Sequence, residues 1–142
     1  MLGLIALALF LIFVTVAVHA VVLARMMVRL IDSVHLRVFN VFRAHALMLF
    51  LVFTALLASH LVQAAVWGAA YYLVGGFEDI ATSLYFSMSS YTTVGYSDAV
   101  LPKHLRLLGP LEAATGVLMF GWSTGYIFAL ATRMLANEPA RR

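Results

Sequence analysis

SSYTTVGYSDAV, Ser89 to Val100, is a short polar run in a chain that is otherwise almost wholly apolar. Within it, Thr92 to Asp98 suits neither a good helix nor a paired strand. Irregular backbone at membrane depth is tolerated only where it is buried in protein or lines a water-filled path. Its carbonyls then need partners, and a dehydrated cation can be one. The chemistry this stretch offers is therefore cation ligation by main-chain oxygen. Other chemistry is poorly provided for. There is no cysteine, which excludes disulfides, thiolate catalysis and cysteine-based metal sites. There is no HExxH pattern, nucleophile elbow or glycine-rich phosphate loop, so neither an enzyme nor a bound cofactor is expected. His60 and Gln63 lie three apart on one helical face inside an apolar run, and His19 is similarly placed in another. An ionisable residue inside a membrane is a functional candidate by default, and a satisfied interhelical hydrogen bond is the plainer reading.

The elements that must position these residues follow from composition. The chain has 142 residues, of which 64% are hydrophobic and 11% charged. Its mean hydropathy is +1.00. A soluble domain of this length could not bury so much apolar surface, so the bilayer is the solvent. Three apolar blocks are long enough to span it: 1–24, about 44–74 and about 107–132. The first has no charged residue and reaches roughly 36 Å as a helix, against a hydrocarbon core of about 30 Å. A signal peptide is the competing reading of that block, although the basic start of such a peptide is missing.

Between the first two blocks lie Arg25, Arg29, Asp32, Arg37 and Arg43. On a helical wheel they share one arc of about 140°, which predicts an amphipathic interfacial helix. The alternative is that both membrane helices overrun the bilayer. Four arginines against one aspartate mark this connection as cytoplasmic. The N-terminus is then outside and the C-terminus, with Arg133, Arg141 and Arg142, inside. The net charge of +3 is small and its basic residues are spread through connections, which suits membrane orientation and not nucleic-acid binding.

The link between the second and third blocks predicts a re-entrant element. Gly75-Gly76 ends the second span, Asp79 starts a helix of about three turns over Ile80–Ser90, and Pro102 closes the loop. Such a helix is too short to cross a bilayer. Its C-terminal end carries partial negative charge that favours a cation.

Thr93-Val94-Gly95-Tyr96-Ser97-Asp98, behind a short helix and between two spans, resembles the selectivity filter of the tetrameric potassium-channel pore family. The resemblance implies an all-α membrane fold with three transmembrane helices, a pore helix and a C4 homotetramer. It divides the chain into an extra N-terminal helix with its basic segment, 1–43, and a pore module, 44–142. Within the module, the outer helix is about 44–74, the pore helix about 79–91, the filter 92–98 and the inner helix about 107–135. It implies that the carbonyls of Thr93, Val94, Gly95 and Tyr96 bind K⁺ as the permeant ligand, a mechanism already general for such filters. Thr92, Tyr85 and Phe86 would support the filter, and Gly121 sits where the family often has an inner-helix hinge. The partners implied are three identical subunits and membrane lipids, and the compact form suggests a bacterial inner membrane.

Two positions depart from that pattern. Ser97 stands where the family usually has glycine, and Ser89 where it often has a glutamate that contacts the filter aspartate. Asp98 then lacks its usual partner. Glu112 is the nearest sequence candidate to replace it, and a surface pair with Arg106 or Lys103 is the alternative. The first span has no basic residue at every third position, so it is not a voltage sensor. A packing, lipid-facing or assembly role is expected for it. The leading expectation is a passive K⁺-selective channel. A poorly selective cation channel and a non-conducting membrane scaffold are the alternatives.

Overall fold

The computed structural model describes residues 2–33, 41–96 and 98–136. Four helices account for most of them: α1 (Leu2–Ser33), α2 (Val41–Leu73), α3 (Ile80–Tyr91) and α4 (Leu108–Ala136). Three are long and apolar enough to cross a membrane, over Leu2–Val28, Arg43–Leu73 and Leu108–Met134. This is an all-helical membrane protein.

Helical threonines are satisfied without leaving their helices. Thr15, Thr54, Thr115, Thr124 and Thr132 each donate to the carbonyl four residues before. That local bond makes a hydroxyl tolerable in hydrocarbon. The outer surface is apolar: Phe10, Phe13, Phe50, Phe53, Leu118 and Phe128 are exposed.

α1 runs antiparallel to α2 and parallel to α4. Its start (Ala8, Leu11) packs with the end of α2 (Trp67, Tyr71) and the start of α4 (Leu108). Its later part (Leu23) packs with Val52 and Leu56 of α2, beside Ile127 and Leu130 of α4. α3 is wedged between α2 and α4, where two glycines let backbones meet. A Cβ on Gly68 would lie 3.0 Å from the Leu84 Cα, and one on Gly116 would lie 2.1 Å from the Tyr91 carbonyl oxygen. Small residues at such crossings permit the close packing that substitutes for hydrophobic drive in a bilayer.

Of the interfacial helix expected over 25–43, the described residues 25–33 continue α1 and 41–43 begin α2. α1 continues unbroken to Ser33, and α2 is already helical at Val41. At 1.5 Å per residue, helices of this length reach about 48–50 Å, so both overrun a hydrocarbon core of about 30 Å. Arg37 and the rest of 34–40, Ser97, Arg141 and Arg142 lie outside the described residues.

α2 ends where glycine permits. Gly75 has φ +72°, and the Gly76 N–H bonds the Tyr71 carbonyl at 2.8 Å. Such a left-handed residue after a helix satisfies orphan carbonyls at little cost only when it lacks a Cβ.

Candidate functional site

Asp79 caps α3 from an extended conformation, its carboxylate accepting from the Thr82 N–H at 2.8 Å. Bonding from Thr82 holds this exposed carboxyl below its ordinary range. The Ser83 hydroxyl donates back to the Asp79 carbonyl at 2.9 Å. A capped helix of 12 residues spans about 18 Å, half a bilayer, and delivers its C-terminus among α1, α2 and α4.

The chain after Tyr91 folds back on that C-terminus. The Thr92 N–H donates to the Met88 carbonyl, the Thr93 N–H to Ser90 and the Gly95 N–H to Ser89, at 3.1, 2.9 and 3.1 Å. This resembles a Schellman ending, with Gly95 supplying the outer bond. Thr93 has φ +62° and Gly95 +72°. Glycine takes that conformation freely, whereas a β-branched threonine is strained there by about 1–2 kcal/mol. The N–H groups of Thr92, Thr93 and Gly95 are consumed by α3, and the carbonyls of Thr93, Val94 and Gly95 accept no hydrogen bond among the described residues. The segment therefore presents unpartnered oxygens at the end of a short helix. Val94 and Tyr96 are 53% and 78% exposed, large apolar side chains beside polar backbone.

The Tyr96 carbonyl, expected to face an ion, accepts from the Tyr85 hydroxyl. Tyr85 stands on the exposed side of α3, so its hydroxyl finds its acceptor in the returning segment. Phe86 packs edge-on to Tyr71 at 5.3 Å and against Phe77 at 5.0 Å. It also lines a cleft of about 500 Å³ behind the segment, with Ser89, Thr93, Gly95, Arg106 and Gly109. Ser89 is buried, and its hydroxyl has no hydrogen-bond partner among the described residues. Gly121 lies inside the continuous helix α4, with open space where a Cβ would be.

Glu112 makes neither pairing that the sequence suggests. It is fully buried, with one carboxylate oxygen accepting from the Tyr71 hydroxyl at 2.6 Å and the other bonded to the Ser87 hydroxyl. Ser87 also reaches the Ala64 carbonyl at 2.6 Å. The carboxyl therefore ties α2, α3 and α4 together inside the protein, while Asp98 is exposed. The physical reason is register. Position 112 lies in the second turn of α4, on the face turned toward α2 and α3.

His60, Gln63 and His19 are brought together, with Tyr91 and Ser123, which sequence reasoning missed. His60 Nδ1 is 3.0 Å from Tyr91 Oη, and its Nε2 is 2.9 Å from Ser123 Oγ. Ser123 Oγ is 3.2 Å from His19 Nε2. Gln63 Nε2 is 3.1 Å from His19 Nδ1 and 2.9 Å from Ser59 Oγ, and Tyr91 donates to Gln63 Oε1 at 2.6 Å. Nearby, the Trp67 indole donates to Thr15 at 3.0 Å. The signal for the missed residues was a serine and a tyrosine within apolar helical runs, weak for either alone.

Comparison with curated proteins and with solved structures returns no match. A protein-family model described as "Ion channel" matches residues 59–133, which cover the second half of α2, all of α3 with its returning segment, and nearly all of α4. That match takes in more than half of the chain, and the chain belongs to this ion channel family.

Proposed function

We propose that this protein is the pore-forming subunit of a passive K⁺-selective channel. The observation that carries the reading is the Thr93–Gly95 segment. The N–H groups of Thr93 and Gly95 are spent on the end of α3, and the carbonyls of Thr93, Val94 and Gly95 accept no hydrogen bond among the described residues, in a chain of the ion channel family. Carbonyl oxygens in that state replace the hydration shell of a cation. α3 acts as the re-entrant pore helix, with its negative dipole end at the ion path. One chain supplies one such segment, and a closed ring needs four copies, so the working form is a C4 homotetramer. The exposure of Val94 and Tyr96 supports this, because large apolar side chains at such a site need a neighbouring copy to cover them. α2 is then the outer helix and α4 the inner helix. Thr92, Tyr85, Phe86, Ser89, Ser97, Asp98 and Glu112 support the filter, and Gly121 serves as the inner hinge. The basic connection faces the cytoplasm, with the N-terminus outside, in a bacterial inner membrane.

A second reading, a poorly selective cation channel, is favoured by one observation: Tyr85 engages the carbonyl of Tyr96, which would form the outermost ion site. Reversal potentials under K⁺ and Na⁺ replacement separate the two. A potential that follows the K⁺ gradient supports the first reading, and one indifferent to exchange of the two ions supports the second.

A further inference from the structure

Five side chains from all four helices close a hydrogen-bonded ring inside the membrane: His19 on α1, His60 and Gln63 on α2, Tyr91 on α3 and Ser123 on α4. All are buried. Tyr91 is the last residue of α3, directly before the segment that presents the free carbonyls.

Donors and acceptors in this ring can be counted. The Gln63 amide nitrogen has two N–H groups and two neighbours, Ser59 Oγ and His19 Nδ1. His19 Nδ1 therefore accepts, and its proton sits on Nε2, which donates to Ser123 Oγ. Tyr91 gives its only proton to Gln63 Oε1, so its oxygen accepts from His60 Nδ1. His60 Nε2 is then bare and accepts from Ser123. Each link uses one proton, and none is left over. The order also runs in reverse if the Gln63 amide is turned over and both imidazoles exchange tautomers, an alternative of the kind that heavy-atom positions do not distinguish. In both orders the two imidazoles are neutral and hold opposite tautomers. With a sixth proton, Ser123 Oγ can accept from both imidazoles only if its own hydroxyl proton turns out of the ring, so the closed order of donors is lost.

We propose that His19 and His60 are positioning residues for the segment Thr92–Tyr96, holding the end of α3 through Tyr91 only while both imidazoles are neutral. α1 is on this account a working part of the pore, and acid loosens the segment. The groups that face the ring fit this role. α1 offers His19, α2 offers His60 and α3 offers Tyr91 as titratable members, and α4 adds the aromatic faces of Trp122 against His19 and Phe120 against His60. Glu112, also on α4, has its oxygens held by Tyr71 and Ser87. No charged side chain among the described residues is bonded into the ring. The consequence for ion flux rests on the channel reading above, whereas the ring and its hold on the segment do not.

The test uses the full chain in lipid vesicles with ¹⁵N-labelled histidine, the two sites being assigned with His19→Gln and His60→Gln. At neutral pH, the nitrogen shifts should show His19 and His60 neutral and in opposite tautomers. Matching tautomers, or a charged imidazole, would overturn the ring. Hydrogen-exchange protection at the Thr93 and Gly95 amides is then compared at about pH 7.5 and about pH 4.5, a span that brackets the ordinary imidazole titration at about 6.5. Wild type should lose protection roughly three- to tenfold in acid, the worth of about one hydrogen bond. Each Gln variant can both donate and accept but carries no imidazole proton, so its acid-to-neutral ratio should be clearly smaller. Equal ratios in all three proteins would overturn the positioning role, whatever the flux. Flux of ⁸⁶Rb⁺ measured alongside should fall in acid in step with protection. Flux absent in every protein, with the exchange result as expected, would reject the channel reading and leave the positioning role standing.

Discussion

Gly116→Ala is the most severe small change the structure offers. The added Cβ would lie 2.1 Å from the Tyr91 carbonyl oxygen, 3.0 Å from its carbon and 3.3 Å from Cγ of the same residue. Cβ atoms essentially never approach within 3.0 Å of another heavy atom, so α4 and the end of α3 must separate by nearly 1 Å. The obstacle is backbone and cannot rotate away. Overpacking of this kind costs about 3 kcal/mol, at the upper end of its usual range. Alanine over glycine in a helix interior recovers about 1 kcal/mol, leaving a net loss of about 2 kcal/mol. Gly121→Ala is the matched control, in the same helix with nothing within 4 Å of its Cβ, and it should gain up to about 1 kcal/mol. Denaturant unfolding in detergent, followed by the fluorescence of Trp67 and Trp122, should separate the two variants by about 3 kcal/mol in opposite directions. Because Tyr91 precedes the carbonyl segment, Gly116→Ala should also depress cation flux. If the two alanines shift stability alike, the close approach of α3 to α4 is wrong and the placement of the segment falls with it.

Other changes probe single links. Glu112→Ala removes the acceptor of Tyr71 while Ser87 keeps the Ala64 carbonyl, so one buried hydroxyl is orphaned at about 1–3 kcal/mol, with Glu112→Gln milder; thermal midpoints in detergent decide, and an alanine variant as stable as wild type would refute the bridge. Gly95→Ala and Gly75→Ala face the same open space at the same φ of +72°, so each should cost about 1–2 kcal/mol per chain, but only Gly95→Ala should abolish flux. Normal flux through Gly95→Ala would remove the carbonyl segment from the account. Asp79→Ala should speed amide exchange at Thr82, and Asp79→Asn should largely preserve protection there. The carboxyl is held below its ordinary range, so the charged cap is complete at neutral pH and is lost only as pH falls through that lowered value. Unchanged exchange at Thr82 in the alanine variant would discount the cap.

The parts of this protein written in local chemistry were legible in its sequence. Apolar runs long enough for a bilayer mark the three long helices, the first two free of Asp, Glu, Lys and Arg over 1–24 and 44–74. Gly75 and Asp79 mark a helix end and a helix start because a left-handed turn and an unsatisfied N–H each require a particular residue type. What depended on packing was not legible. A helical wheel over residues 25–43 could not tell a separate interfacial helix from helices that continue, since both carry the same polar stripe. The sequence offered Glu112 three charged partners in nearby loops, Asp98, Lys103 and Arg106, whereas its position on α4 turns it inward to Tyr71 and Ser87. His60 and Gln63 were visible as polar residues in an apolar run. Their partners Tyr91 and Ser123 lie 31 and 63 positions away from His60, and only the folded arrangement brings them together. The bond from Tyr85 to the Tyr96 carbonyl was hidden for the same reason.

The central claim is that the segment Thr93–Tyr96 forms a K⁺-selective path, and it is tested most directly by flux through the protein reconstituted alone. Purified full-length chain is placed in vesicles, and uptake of ⁸⁶Rb⁺ against a K⁺ gradient is compared with uptake of ²²Na⁺ against a Na⁺ gradient at matched protein density. The account predicts ⁸⁶Rb⁺ uptake well above that of empty vesicles, little ²²Na⁺ uptake, and loss of the ⁸⁶Rb⁺ signal in Gly95→Ala. Equal uptake of both ions would contradict selectivity, and no uptake of either would contradict conduction.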